Sequence, residues 1–298
     1  MFGRSHSRPV AEHEAQGEIE RVYHQIRQVM RISGVNLNFR SWATYPRFFP
    51  AMWDAMLPNV QTLAFEQAAD RIRQQAAQSA MSLATDMSIA RGRLGESQSY
   101  QAHAALKLYH YINPKLLVFT AAVKLALAGH EIGRPPGETN RLLKRGIPPD
   151  MIAFEMEDDE PDNDRLRKLF EDIRSTLNLP SVNSDYRTLA LWPDYLSAAW
   201  EHLKPLVKRP EYQTAADNLR QLAIDEAITL PYPVKLDQPT IEALDEDHQA
   251  ILALTDRFEQ LLPGLIINIA VLHSEWESDD DLAASPFPAA TQTIGAAL

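Results

Sequence analysis

The chain has 298 residues, 45% hydrophobic and 23% charged, which is enough apolar side chain for a sizeable core in one or two domains. Its 29 basic and 40 acidic side chains leave a formal net charge of −11, a balance that argues against a nucleic-acid surface. The absence of cysteine excludes disulfides, thiolate metal sites, iron–sulfur clusters and cysteine nucleophiles, and fits a reducing cytoplasm.

In chain order, the opening MFGRSHSRPVAEHE has no apolar run and does not read as a signal peptide. Ile19, Val22, Tyr23, Ile26, Val29 and Met30 fall at three- and four-residue spacings and predict an amphipathic helix. Asn113-Pro114 reads as a helix start, leading into the apolar stretch Leu116–Gly129. The segment Gly129–Asn163 is rich in Pro and Gly and ends in the acidic run Glu155–Glu160, so it reads as a connector with one short helix near Glu138–Arg145. Leu166, Leu169, Phe170, Ile173 and Leu177 predict another amphipathic helix, and Leu261–Val271 is a second apolar stretch. Neither apolar stretch reaches the roughly 20 residues needed to span a bilayer. Asp245–His248 reads as a solvated helix surface, and the tail from Ser278 as acidic and loosely ordered. Prolines sit mostly between periodic segments, and the predicted class is all-α.

The chain is also similar to itself. VNLNFRSWATYPRFFPAMWDAMLP from Val35 aligns with VNSDYRTLALWPDYLSAAWEHLKP from Val182, pairing Arg40 with Arg187, Pro46 with Pro193, Trp53 with Trp200 and Pro58 with Pro205. Asn113-Pro114 pairs later with Leu262-Pro263. The expected organisation is a first helical repeat over 1–128, a connector over 129–163, a second repeat over 164–277 and a tail over 278–298. Two tandem repeats should pack as a pseudo-dimer about an approximate twofold axis.

In a duplicated fold the informative positions are those where the copies differ chemically. Asn38 becomes Asp185, and of the two only Asp185 can act as a base. Asn113 becomes Leu262, and Glu66 becomes Asn218. Thr62 and Glu66 lie four apart, on one helix face within hydrogen-bonding reach. Each has a plainer reading. Asp185 and Asn113 suit helix caps, and Glu66 suits a solvated helix surface. Arg40 and Arg187, present in both halves, suit a structural ion pair, although one could attract a carboxylate. His103 and His110, seven apart, are weak metal evidence, and no metal or cofactor is expected. No Gly-rich phosphate loop or G-x-S-x-G elbow occurs.

Through Asn-Ser-Asp-Tyr-Arg at 183–187, Thr62-x-x-x-Glu66 and Asn113-Pro114, the chain from about Glu18 to Trp276 resembles the group I 2-haloacid dehalogenases. These are all-helical, duplicated enzymes that act on both D- and L-2-haloalkanoic acids. The resemblance implies catalytic roles for Asp185, Asn113, Thr62 and Glu66, with Ser184, Gly34, Asn36, Leu37 and Leu116 about the substrate. It implies that water activated by Asp185 attacks C2 with inversion and no ester intermediate, and that the protein is a cofactor-independent homodimer. Where the family places large aromatics, this chain has Gly34-Val-Asn-Leu37, which implies a roomier pocket. Each repeat also faintly resembles the alkylhydroperoxidase and carboxymuconolactone decarboxylase unit, which implies as alternatives a decarboxylase or a small-carboxylate binding protein. The redox version of that unit needs a Cys-x-x-Cys that is absent. A purely structural role for the duplication is a third reading.

Overall fold

The computed structural model describes residues 8–83, 88–133 and 141–292. Helical periodicity carries through. Thirteen α-helices form among these residues, with no strand beyond isolated bridges. The first series is α1 (Gly17–Val29), α2 (Leu37–Trp42), α3 (Phe48–Val60), α4 (Leu63–Leu83), a short α5 (Ser88–Arg91) and a long α6 (Glu96–Leu127). The second is α7 (Asp164–Leu177), α8 (Ser184–Leu189), α9 (Pro193–Leu206), α10 (Pro210–Ile228), a short α11 (Gln238–Ala243) and a long α12 (His248–His273), with α13 (Asp279–Ala283) following. No described helix is long and apolar enough to cross a membrane.

The two long helices pack along each other more extensively than any other pair, with α4 and α10 against both. Every residue of α6 from Tyr109 to Val123 is buried, as expected of a helix surrounded by others. By contrast α1 buries one stripe (Val22, Tyr23, Ile26, Val29), and α7 does the same with Leu166, Phe170 and Ile173.

Three contacts and one backbone conformation recur at one constant offset between the two series. Trp53 Nε1 donates to Gln25 and Trp200 Nε1 to Asp172, each at 2.8 Å. Val35 N–H donates to Glu12 and Val182 N–H to Asp159, each at 2.7 Å. Arg40 Nε donates to the Val10 carbonyl at 3.3 Å and Arg187 Nε to that of Glu157 at 2.6 Å, and among the described residues neither arginine makes the expected ion pair. Arg31 and Asn178 both take a left-handed backbone, with φ of 61° and 53°. The acidic run expected to be connector therefore makes the bonds that Val10 and Glu12 make in the first series.

Several expectations are corrected. Pro114 lies inside α6 instead of starting a helix. Lacking an N–H, it leaves the His110 carbonyl without its usual i+4 donor. Buried Arg73, on α4, supplies one: its Nε donates to that carbonyl at 3.1 Å and its Nη2 to the Tyr111 carbonyl at 3.3 Å, while Asp70 pairs its Nη1. His248 is buried, with Nε2 donating to the Leu127 carbonyl, and Asp247 caps α12. In the connector, Arg141–Arg145 is extended, with Leu143 bridging Thr291, while Glu138–Asn140 lie outside the described residues. The tail as far as Gln292 is packed. Leu282 and Phe287 are buried, and Arg31 donates to the Phe287 and Pro288 carbonyls at 3.2 Å each. The apolar side chains among its acidic and small residues are what anchor it.

Replacing Arg73 with Met removes the donors to two buried carbonyls beside the Pro114 interruption and leaves Asp70 unpaired. Urea denaturation should show a loss of about 2–4 kcal/mol. An unchanged midpoint would mean that the interruption is tolerated without the clamp.

Candidate active site

The residues around Asp185 are brought together by two elements. Asn183 precedes α8 with an extended backbone and makes no side-chain cap, and Asp185 is the buried second residue of that helix. Opposite it runs α6. Asn113 Nδ2 donates to Asp185 Oδ1 at 2.7 Å, and the two side chains belong to residues 2% and 3% exposed. Both cap readings fail. Asp185 is held by Asn113, and Asn113 sits mid-helix.

No cation contacts the carboxylate among the described residues. Burial pushes its pKa from 3.8 up to about 7, with the Asn113 hydrogen bond and its own backbone N–H opposing the rise. A carboxylate so placed is a competent proton acceptor near neutral pH. Tyr109, one turn before Asn113, fixes α8 against α6. Its hydroxyl donates to the Ser184 carbonyl at 3.2 Å and pairs with Thr188 Oγ1 at 2.7 Å.

A cavity of about 180 Å³ opens beside this pair, lined by Gly34, Asn36, Arg40, Tyr109, Phe154 and Ser184 among others. Asp185 and Asn113 do not themselves line the cavity, but each directly follows in sequence a residue that does, Ser184 and Ile112. Gly34, Asn36 and Ser184, expected about the substrate, line this cavity. Leu37 begins α2 and Leu116 is buried in the core, and neither lines the cavity. The Gly34–Leu37 stretch is small, but Tyr109 and Phe154 supply aromatic wall from elsewhere.

Thr62 and Glu66 are not gathered at this pair. Thr62 Oγ1 donates to the Asn59 carbonyl at 2.6 Å and accepts the Phe65 N–H at 3.2 Å, so it caps α4 and is not a partner of Glu66. Glu66 is buried rather than solvated, and its Oε2 pairs with Lys115 Nζ at 2.6 Å. Lys115 also donates to Tyr111 Oη at 2.5 Å and to the Met30 carbonyl at 3.3 Å. At the position corresponding to Asp185, Asn38 is buried with neither amide atom hydrogen-bonded among the described residues. The sequence reading missed Tyr109, Phe154, Arg73 and Lys115. Of these only Lys115 carried a signal, as a lone cation at the head of an apolar run. The three potential metal ligands that converge among the described residues, His103, His273 and Glu277, lie where the beginning of α6 meets the end of α12.

Residues 33–186 match the family described as halocarboxylic acid dehydrogenase DehI. An (R)-2-haloacid dehalogenase of Pseudomonas putida is 31% identical over 274 residues, covering 88% of this chain and 90% of its own. A configuration-inverting 2-haloacid dehalogenase of Pseudomonas sp. (strain 113) is 31% identical and covers 72% of each chain. Among solved structures, a D-2-haloacid dehalogenase in complex with L-LA superposes with a TM-score of 0.81 at 26% identity, over 90% of this chain and 95% of that one. The fold is thus that of an all-helical haloacid dehalogenase, and the chain belongs to the DehI family.

The raised pKa fixes a sign. Ionising a carboxyl whose folded pKa lies above its unfolded one destabilises the fold. The penalty is absent below pH 3.8, grows as pH rises toward about 7, and is constant above. Asp185→Asn should therefore gain stability over wild type across that window, reaching on the order of 4 kcal/mol at pH 8 by thermal or urea unfolding. Asn113→Ala removes the hydrogen bond that favours the charged form. The acidic limb of the pH–activity profile should then move up by roughly one unit. A downward shift would contradict the assignment of that limb to Asp185.

Proposed function

We propose that this protein hydrolyses the carbon–halogen bond of 2-haloalkanoic acids, D and L alike, giving 2-hydroxy acids of inverted configuration. One observation carries this reading: a buried carboxylate, paired with an amide and with no cation, directly follows a residue that lines a small cavity. Asp185 takes a proton from a water held with Asn113. The water oxygen bonds to C2 as the carbon–halogen bond breaks, and the halide leaves with the bonding electrons. Asn113 orients the base and, through it, the water, a positional contribution.

Arg40 is the cation in the cavity wall, and we assign its terminal nitrogens to the substrate carboxylate. Tyr109 and Phe154 give the departing halogen an apolar surround. Glu66 and Thr62 act at a distance: Glu66 through Lys115 on the helix that carries Asn113, and Thr62 by capping α4. The recurring hydrogen bonds and paired left-handed residues support an origin by duplication, with the halves related as a pseudo-dimer.

The mechanism is tested by one turnover with excess enzyme in H2(18)O. The label should enter the hydroxy acid and leave Asp185 unlabelled, and label in the Asp185 peptide would require an ester intermediate. Both (R)- and (S)-2-chloropropionate should release chloride and yield lactate of the opposite configuration. Asp185→Asn should lower the rate by about a thousandfold or more.

A further inference from the structure

A second polar constellation lies apart from the cavity, where the beginning of α6 meets the end of α12. His103 Nε2 lies 2.8 Å from Glu277 Oε1, and His273 Nε2 lies 3.5 Å from the same oxygen. One ligand atom from each of the three residues falls within 4.8 Å of the others. His273 is 1% exposed, yet neither of its ring nitrogens makes a hydrogen bond among the described residues. Buried imidazoles are ordinarily paired, and one left unpaired calls for an explanation.

We propose that His103, His273 and Glu277 form a structural site for a divalent transition-metal ion, with Zn(II) the best match. Two imidazoles and a carboxylate are a ligand set that this ion takes, with water in a fourth position. Bonds of about 2.0–2.2 Å in a tetrahedron place ligand atoms roughly 3.3–3.5 Å apart, so the observed separations need only small adjustments. The surroundings hold the ligands in place. The Trp276 ring stacks on His103 at 5.8 Å and 10°, and its Nε1 donates to Ser99 Oγ. His110 packs edge-on to His273 at 4.9 Å, its own Nε2 donating to the Leu282 carbonyl. Lys107 Nζ, 3.4 Å from Glu277 Oε1, balances that carboxylate when no ion is bound. An arriving cation replaces Lys107, and His103 binds it by shifting its proton to Nδ1. Lys107 and nearby Arg91 and Arg73 oppose the ion, which favours micromolar affinity over tighter binding. His103 is ten residues from Asn113, about 15 Å along the helix, so the ion ties α6 to α12 without reaching Asp185.

The experiment uses the full chain without a polyhistidine tag, stripped with EDTA. Titration with Zn(II) should show one ion per chain and a raised melting temperature, and Co(II) should give the visible absorption of a four- or five-coordinate site. Glu277→Gln and His103→Gln alter half-buried positions, so folding is checked by circular dichroism and halide release. Each should weaken Zn(II) affinity by roughly a hundredfold or more. No binding at micromolar Zn(II) overturns the site, as does wild-type affinity in both folded variants.

Discussion

The structure turns on a carboxylate taken out of water and given an amide instead of a cation. An arginine or lysine against Asp185 would stabilise the charged form and pull its pKa down, leaving a weak base. Asn113 at 2.7 Å fixes the carboxylate's orientation yet stabilises its charge far less than an ion pair, so burial dominates and the group titrates at about 7. The remaining architecture keeps this arrangement dry and keeps competing cations occupied.

Holding Asn113 still is mostly the work of its neighbours on α6. Pro114 follows it directly and breaks the backbone ladder one turn upstream, which would leave that segment soft without Arg73 from α4. Lys115, two residues after Asn113, is a buried cation on the same helix. Glu66 neutralises it at 2.6 Å, and Tyr111 and the Met30 carbonyl take its other donors. Arg31 reaches the same Tyr111 hydroxyl at 3.2 Å and carries the network to the tail carbonyls. Glu66 makes its contact away from Asp185, pairing a positive charge that would otherwise be buried unpaired on the helix that carries Asn113.

What could be read from the sequence follows from the range of the forces involved. Helical periodicity is local, and it predicted the all-α class. The contrast of Asp185 with Asn38, and of Asn113 with Leu262, pointed to the pair because alignment of the halves isolates chemical differences. Contacts between distant segments left no such trace. Arg73 meets a carbonyl, and carbonyls are the same at every position. Phe154 reaches the cavity from a connector with no periodicity. His273 and Glu277 join His103 across most of the chain. The tail looked loose because its acidic and small residues dominate, whereas Leu282 and Phe287 decide where it packs.

The same energetics bear on why one helical series buries a carboxylate, Asp185, where the other buries an amide, Asn38. A buried carboxylate held near pKa 7 destabilises the fold by a few kcal/mol at neutral pH, against a total of about 5–15 for an ordinary domain. A second copy at position 38 would carry that penalty, and the residue aligned with Asn113 in the other series is Leu262, which offers no amide to orient it. Asn38 keeps the shape without the charge, and its unpaired amide is the smaller loss. On the proposed mechanism the penalty is needed once, and on the proposed duplication the first half is where it was relieved. The asymmetry between the halves is thus a consequence of stability as much as of chemistry.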